Sequence, residues 1–405
     1  MGDRYRWVVL GVGAVAQGAN AAVFLGLPAI APQLRAHYGL SVPQVGLLLG
    51  AVNLGTMLTL IVWGVAADRR GERLVMTVGG AGAAVCLALA ASGGAVVAGL
   101  ALLGVGLFGA SVNAASGRAV MTWFPSGRRG LAMGVRQTAT PLGAALTAAV
   151  LPVVALHAGV PAAFLALAGF TGVVAVAVAL LVREPPGATR STARGHGIVL
   201  GDRRLLRLSA ASGLLVVPQF TAAALLVELL HSHRGLALGV AAALFAGAQV
   251  LGGAGRLAAG VWSDAVGSRL RPLRVVAVAI TVGFVLSAVL DAAPVAVLCA
   301  VLVPAAALAL CWNGLAVTAA GELAPEGRGG TALGMQNTAN YLSASVTPAL
   351  AGWVAVTVAW PAALLLAAVA TLAALVLLRG LEEGGERQPW RSRRASSPQN
   401  SRSVS

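Results

Sequence analysis

Lysine is absent from the 405-residue sequence: all 28 basic residues are arginine. A P-loop, which needs its lysine against the phosphates of a nucleotide, is therefore excluded. Charge of either sign is scarce, at 10% of residues, where a soluble domain carries about 25%. The only cysteines are Cys86, Cys299 and Cys311. They are odd in number, far apart and set in apolar stretches, a pattern of buried inert thiols with neither a disulfide frame nor zinc spacing. His231 and His233 form a bare H-S-H, too little for a metal site. With no nucleophile–base pair and no ligand cluster, the reading is of a non-enzyme with no metal and no cofactor.

What fills the sequence is hydrocarbon. Hydrophobic types make up 58% of residues and the mean hydropathy is +0.86. Only a bilayer makes so thin a polar coat tolerable. The apolar runs last about 18 to 26 residues, helix length for a core of roughly 30 Å, and helices satisfy their own backbone in lipid. The spacing predicts an all-α integral membrane protein with twelve transmembrane helices, near residues 7–30, 44–66, 74–92, 95–117, 131–156, 161–182, 205–230, 236–263, 275–290, 294–318, 331–356 and 359–379. The first run lies behind Arg4 and Arg6 and is too long for a signal peptide, so it reads as a retained helix. Residues 183–204, rich in Pro, Gly, Ser, Thr and Arg, read as a linker between units 1–182 and 205–379, and residues 380–405 as a disordered tail.

The net charge is +15. The arginines sit in short loops rather than on one patch, so they set membrane topology and do not indicate nucleic acid. The loops after odd-numbered helices hold only Arg35 and Arg234, Arg118, Arg136 and Arg256 lie in or at the edge of spans, and the other 23 fall on the opposite side. This asymmetry places both termini and the linker in the cytoplasm. The expected location is a plasma membrane, a bacterial inner membrane, with a monomeric chain in lipid. Arginine without lysine suggests a GC-rich genome.

The chain repeats itself. "GVAADRRGER" at 64–73 and "GVWSDAVGSR" at 260–269 share the pattern G-x-x-x-D-x-x-G-x-R, and "FPSGRRGLAMGVRQTATPLGAALT" at 124–147 parallels "APEGRGGTALGMQNTANYLSASVT" at an offset of 200. Such a tandem predicts two pseudo-symmetric six-helix bundles with a site between them that opens alternately to each side. Gly64, Asp68, Arg69, Gly71 and Arg73 match the conserved loop of the major facilitator superfamily, which the chain resembles over nearly its whole length; Gly260, Asp264, Gly267 and Arg269 match its weaker second copy. The resemblance implies a gating loop, whose acid meets charges and a helix N-terminus of the opposite half when the cytoplasmic side is shut.

Polar groups inside spans are costly, so each is a candidate for contact with a substrate or for interhelical bonding. These are Gln17, Asn20, Asn53, Asn113, Gln219, Gln249, Asn313, Asn337 and Asn340, together with Arg256, which lies about 10 Å inside the boundary set by Asp264. The R-x-x-x-G-x-x-x-D context of Arg256 resembles helix 8 of nitrate/nitrite porters and monocarboxylate carriers, where the matching arginine binds the anion. At the symmetric place stands Leu60, which argues against nitrate. Residues 117–143 resemble the helix 4–5 stretch of organic anion:cation symporters, although helix 1 lacks their arginine. Arg118 and Arg136 at that loop read as an intracellular gate. Glu228, near the outer end of helix 7, is the best acid for proton coupling. "GVGLFG" at 104–109 has no strand before it and reads as helix packing, not a dinucleotide fingerprint. The reading is a secondary active transporter of a small organic anion, coupled to protons or to a counter-substrate. Efflux of drugs or metabolites is the alternative within transport, and a receptor on a carrier scaffold the alternative outside it.

Overall fold

A computed structural model describes residues 2–185 and 196–383. All regular structure among them is helical. The helices are α1 (Gly2–Gly26), α2 (Ala31–Tyr38), α3 (Val42–Arg70), α4 (Glu72–Ala90), α5 (Ala95–Trp123), α6 (Arg129–Leu181), α7 (His196–Gly201), α8 (Arg203–Glu228), α9 (Leu238–Val266), α10 (Leu270–Val289), α11 (Val295–Leu308), α12 (Asn313–Leu323), α13 (Gly329–Thr357) and α14 (Trp360–Leu378). Ten stretches are long and apolar enough to cross a bilayer. The chain is thus a multi-pass integral membrane protein, and its outward-facing leucines and valines agree: Leu47, Leu156 and Val356 stay at least 73% exposed, a surface that only lipid would cover.

The count of ten differs from twelve for physical reasons. Residues 126–181 count as one stretch, yet α6 turns at Gly159, whose φ of 85° is left-handed and favours glycine. Helix α13, 29 residues long, is not among the ten, because Gln336, Asn337, Asn340 and several hydroxyls dilute its hydropathy. The expected span 294–318 is also not one rod: the α-helix stops after Leu308 and resumes at Asn313. Of the expected linker, residues 186–195 lie outside the described residues, and its end is helical (α7). Of the expected disordered tail, residues 384–405 lie outside the described residues. The part before them is docked: Leu381 is buried, and Glu383 accepts from the backbone N–H of Leu270 at 2.5 Å, at the start of α10.

Within the residues before 186, α1 packs on α6, α3 on α5, and α4 on both α5 and α6. Within those after 195, α8 packs on α13 and α14, α10 on α14, and α9 on α11. The two parts meet chiefly through α3 against α13 and α6 against α9. Both contacts are glycine-on-glycine. A Cβ on Gly64 would stand 2.3 Å from the Gly330 carbonyl oxygen, and one on Gly260 would stand 2.4 Å from that of Gly130. Only hydrogen at these positions lets the backbones touch.

One face of the molecule collects the chain ends. There the Tyr5 hydroxyl donates to the Leu181 carbonyl at 2.6 Å, Trp123 donates to that of Arg183, and Arg274 donates to those of Leu378 and Leu381. The turns after α3 and α9 lie on this same terminal face, since Arg73 reaches the Ala179 carbonyl and Arg269 that of Ser126.

Candidate functional site

The terminal face is sealed by two matching clusters. Asp68 is fully buried at the end of α3. Its carboxylate accepts from the backbone N–H groups of Gly330 and Thr331, each at 2.8 Å, and from the Thr331 hydroxyl at 2.6 Å. These amides open α13, so the acid also meets the positive end of that helix. Arg118 of α5 bonds Asp68 at 3.1 Å and Glu72 at 2.6 Å. In the second cluster Asp264 accepts from Gly130 and Leu131, the first amides of α6, at 2.9 Å each. Arg269 pairs with Asp264 at 2.6 Å and with Glu322 at 3.3 Å, and Arg129 reaches Glu322 at 3.5 Å. Burial works against the charge of Arg269, but Glu322 and Asp264 outweigh it and hold the guanidinium above its ordinary range.

The duplicated spacing places its residues unevenly. Gly71 (φ 85°) and Gly267 (φ 69°) make the left-handed turns. Arg69, however, is exposed, and Arg73 bonds only within its own part of the chain. The partners of Asp68 are instead Arg118 and the α13 amides, with Glu72 sharing the arginine. Arg118 belongs to this seal.

Above the seal lies a cavity of about 720 Å³ lined by both parts of the chain. Seven expected residues line it: Gln17, Asn20, Asn113, Gln219, Asn313, Asn337 and Asn340. Two amide pairs echo each other across it. Gln17 donates to Asn113 at 2.9 Å, and Asn313 donates to Gln219 at 3.0 Å. Asn113 also donates to the Tyr341 hydroxyl at 3.2 Å, and Phe24 meets the Tyr341 ring edge-on at 5.0 Å. Asn53 and Gln249 are half-buried on α3 and α9 and do not line this cavity. Glu228 is exposed at the end of α8 and does not line it either. It lacks the burial that makes a coupling acid.

Arg136 departs most from expectation. It is not at a rim: α6 begins at Arg129, so Arg136 lies about 10 Å deeper along the helix. It is buried and donates to Ser116 Oγ at 2.8 Å, Gln17 Oε1 at 3.0 Å, the Asn113 carbonyl at 2.8 Å and Gln137 Oε1 at 2.9 Å. Arg256 is equally buried. It does not line the cavity but donates to the Leu310 carbonyl at 2.8 Å and the Gln137 carbonyl at 2.6 Å. Leu310 lies in the interruption between α11 and α12, which leaves its carbonyl available. Both guanidiniums thus converge on Gln137, one on its side chain and one on its backbone. Among the described residues no carboxylate pairs with either arginine.

Gln137, Thr140, Phe24, Phe220 and Tyr341 line the cavity without having been singled out from the sequence. A signal existed for the first two: Gln137 and Thr140 stand 200 residues before Asn337 and Asn340. Elsewhere, His233 bonds Asp291 at 3.0 Å and stacks on Trp360. Among the described residues no three metal-binding side chains gather.

A helical membrane protein whose two parts enclose a polar cavity and seal it on one face by acids on helix N-termini has the build of a transporter. A sequence profile described as Major Facilitator Superfamily matches residues 13–348. An "Uncharacterized MFS-type transporter" of Mycobacterium tuberculosis is 37% identical over 411 residues, covering 96% of this chain and 89% of that protein. The chain belongs to the Major Facilitator Superfamily, a family of transporters. Among solved structures, the transporter FucP in the outward conformation is similar with a TM-score of 0.78 at 14% identity, over 93% of this chain and 99% of that one. The human organic anion transporter MFSD10 is similar with a TM-score of 0.75 at 18% identity, over 92% of this chain and 99% of that one.

Proposed function

We propose that this chain is a secondary active transporter of a small organic anion, working by alternating access. Its architecture in this reading is twelve spans, counting α13 and both sides of the Gly159 turn, in two pseudo-symmetric six-helix bundles that rock about the cavity. The terminal face is cytoplasmic, as the crowding of arginines there favours, and the sealed state is then the outward-facing one. A monomer suffices, because both walls of the cavity come from one chain. The driving partner is a proton or a counter-substrate, and Glu228, being exposed, is not put forward to carry the proton.

One observation carries the choice of an anion: Arg136 and Arg256 are buried behind the cavity floor with no carboxylate partner. A buried guanidinium is costly unless a negative charge answers it, and here only uncharged groups, backbone, amide and hydroxyl oxygens chief among them, accept from the two. Arg136 holds the side-chain oxygen of Gln137, which leaves that amide's N–H₂ to face an arriving anion. The same polarity argues against apolar drugs, which favour apolar walls.

The test is binding by purified protein in lipid nanodiscs of a panel of labelled carboxylates, sulfonates and neutral solutes. Anions should bind and should raise the melting temperature through preferential binding to the folded state. Arg136→Gln and Arg256→Gln should lose both effects. A neutral ligand that binds as well in these variants as in the parent would overturn the reading.

A further inference from the structure

The cavity wall carries more polarity than an anion alone requires. Gln17 and Asn113 bond each other, but six other amides keep a group without a protein partner. Gln137 gives its oxygen to Arg136 and Gln219 accepts from Asn313, so both present N–H₂. Asn313 and Asn337 spend their N–H₂ on Gln219 and on the Leu333 carbonyl, so both present oxygen. Asn20 presents both kinds of group, and Asn340 presents its N–H₂, its oxygen being fully buried without a bond. Both donors and acceptors therefore face a space that also holds the rings of Phe24, Phe220 and Tyr341.

A hydroxyl both donates and accepts, so a run of hydroxyls fits such a wall where an alkyl chain does not. An alkyl tail would cover these amides and leave them dry and unpaired, which a site built of hydrogen-bonding groups penalises heavily. The ring faces suit the C–H faces of a compact carbon skeleton.

We infer that the transported anion is a polyhydroxylated carboxylic acid of the sugar-acid class, its carboxylate at the Gln137 end of the cavity, with Arg136 and Arg256 behind that residue, and its hydroxyls on Asn313, Asn337, Asn340 and Gln219. This rests on the anion reading above and narrows it to one chemical class. Plain monocarboxylates are then poor ligands, and neutral polyols are poorer than their acids.

The experiment measures dissociation constants on the full chain in nanodiscs for matched probes. D-gluconate is set against hexanoate and sorbitol, and D-glucuronate against cyclohexanecarboxylate and glucose. The hydroxylated acids should bind at least tenfold tighter than either partner in each set. Asn340→Leu and Asn337→Leu should narrow the gap to the alkyl acids by weakening the hydroxylated ones, with the alkyl acids unmoved and the melting temperature of the unliganded protein retained. Alkyl acids that bind as well as hydroxylated ones would overturn the inference and leave the anion reading standing. Polyols that bind as well as their acids would overturn the anion reading itself. No binding by either hydroxylated acid would also overturn the inference, whatever other anions bind.

Discussion

Asp68 and Asp264 make the same bond in opposite directions. Asp68, from the first part of the chain, takes the first amides of α13 at 2.8 Å. Asp264, from the second part, takes the first amides of α6 at 2.9 Å. Each acid closes one of the two seams of the terminal face, so neither seam opens without breaking charge-assisted bonds at a helix end.

Asp68→Asn should therefore shift the resting protein toward its other conformation. Asparagine keeps one acceptor but loses the charge that serves three donors and Arg118 at once. The expected loss is about 2–3 kcal/mol of seal energy. Transport, measured in proteoliposomes, should fall at unchanged expression. Asp264→Asn should act in the same direction but less, because Arg269 remains tied to Glu322.

Gly64→Val should be more damaging than either. Its Cβ would stand 2.3 Å from a backbone oxygen, which cannot rotate away. The α3–α13 seam should fail to close. Crosslinking between cysteines on α3 and α13 on the terminal side should drop, while membrane insertion, judged by yield and monodispersity, persists.

Arg136→Lys should restore only part of what Arg136→Gln removes. Lysine keeps the charge but cannot reach Gln17, Ser116, the Asn113 carbonyl and Gln137 together. Anion affinity should fall by more than tenfold in the glutamine variant, a loss of about 2–5 kcal/mol, with the lysine variant between. Calorimetric titration of the three proteins with one anion gives the order directly.

Topology has its own check. In a chain cleared of Cys86, Cys299 and Cys311, an Arg70→Cys thiol should be labelled only from the cytoplasm, and a His157→Cys thiol only from outside. Labelling of both from one side would reverse the orientation drawn from the arginines.

The seal was legible in the sequence because it is written twice. Two glycines and an acid at one spacing, repeated in an otherwise apolar chain, leave few structural readings. The partners were less legible, because they arrive from far away: Arg118 comes from 50 residues off and the Thr331 amide from 263. The polar residues of the cavity stood out by cost alone, yet cost does not tell which face of a helix a side chain takes. Asn53 and Gln249 were singled out by the same rule as Asn113 and Gln219 and point elsewhere. Arg136 was read as part of a gate because spacing along one helix does not reveal its partners Gln17, Asn113 and Ser116, which come from α1 and α5. Arg256 was recognised as buried, but its acceptor at Leu310 depends on a helix interruption between Leu308 and Asn313 that hydropathy does not mark.

The glycine seams bear on how fast the protein can turn over. Where helices meet through interlocked side chains, separating them means withdrawing each knob from its hole and re-sorting rotamers on both sides. Gly64 on Gly330 and Gly260 on Gly130 are smooth backbone against smooth backbone. In the alternating-access reading, once the two acids let go these two contacts separate without a side chain to withdraw. In that reading, the glycine pairs that let the face shut also offer little resistance to its reopening.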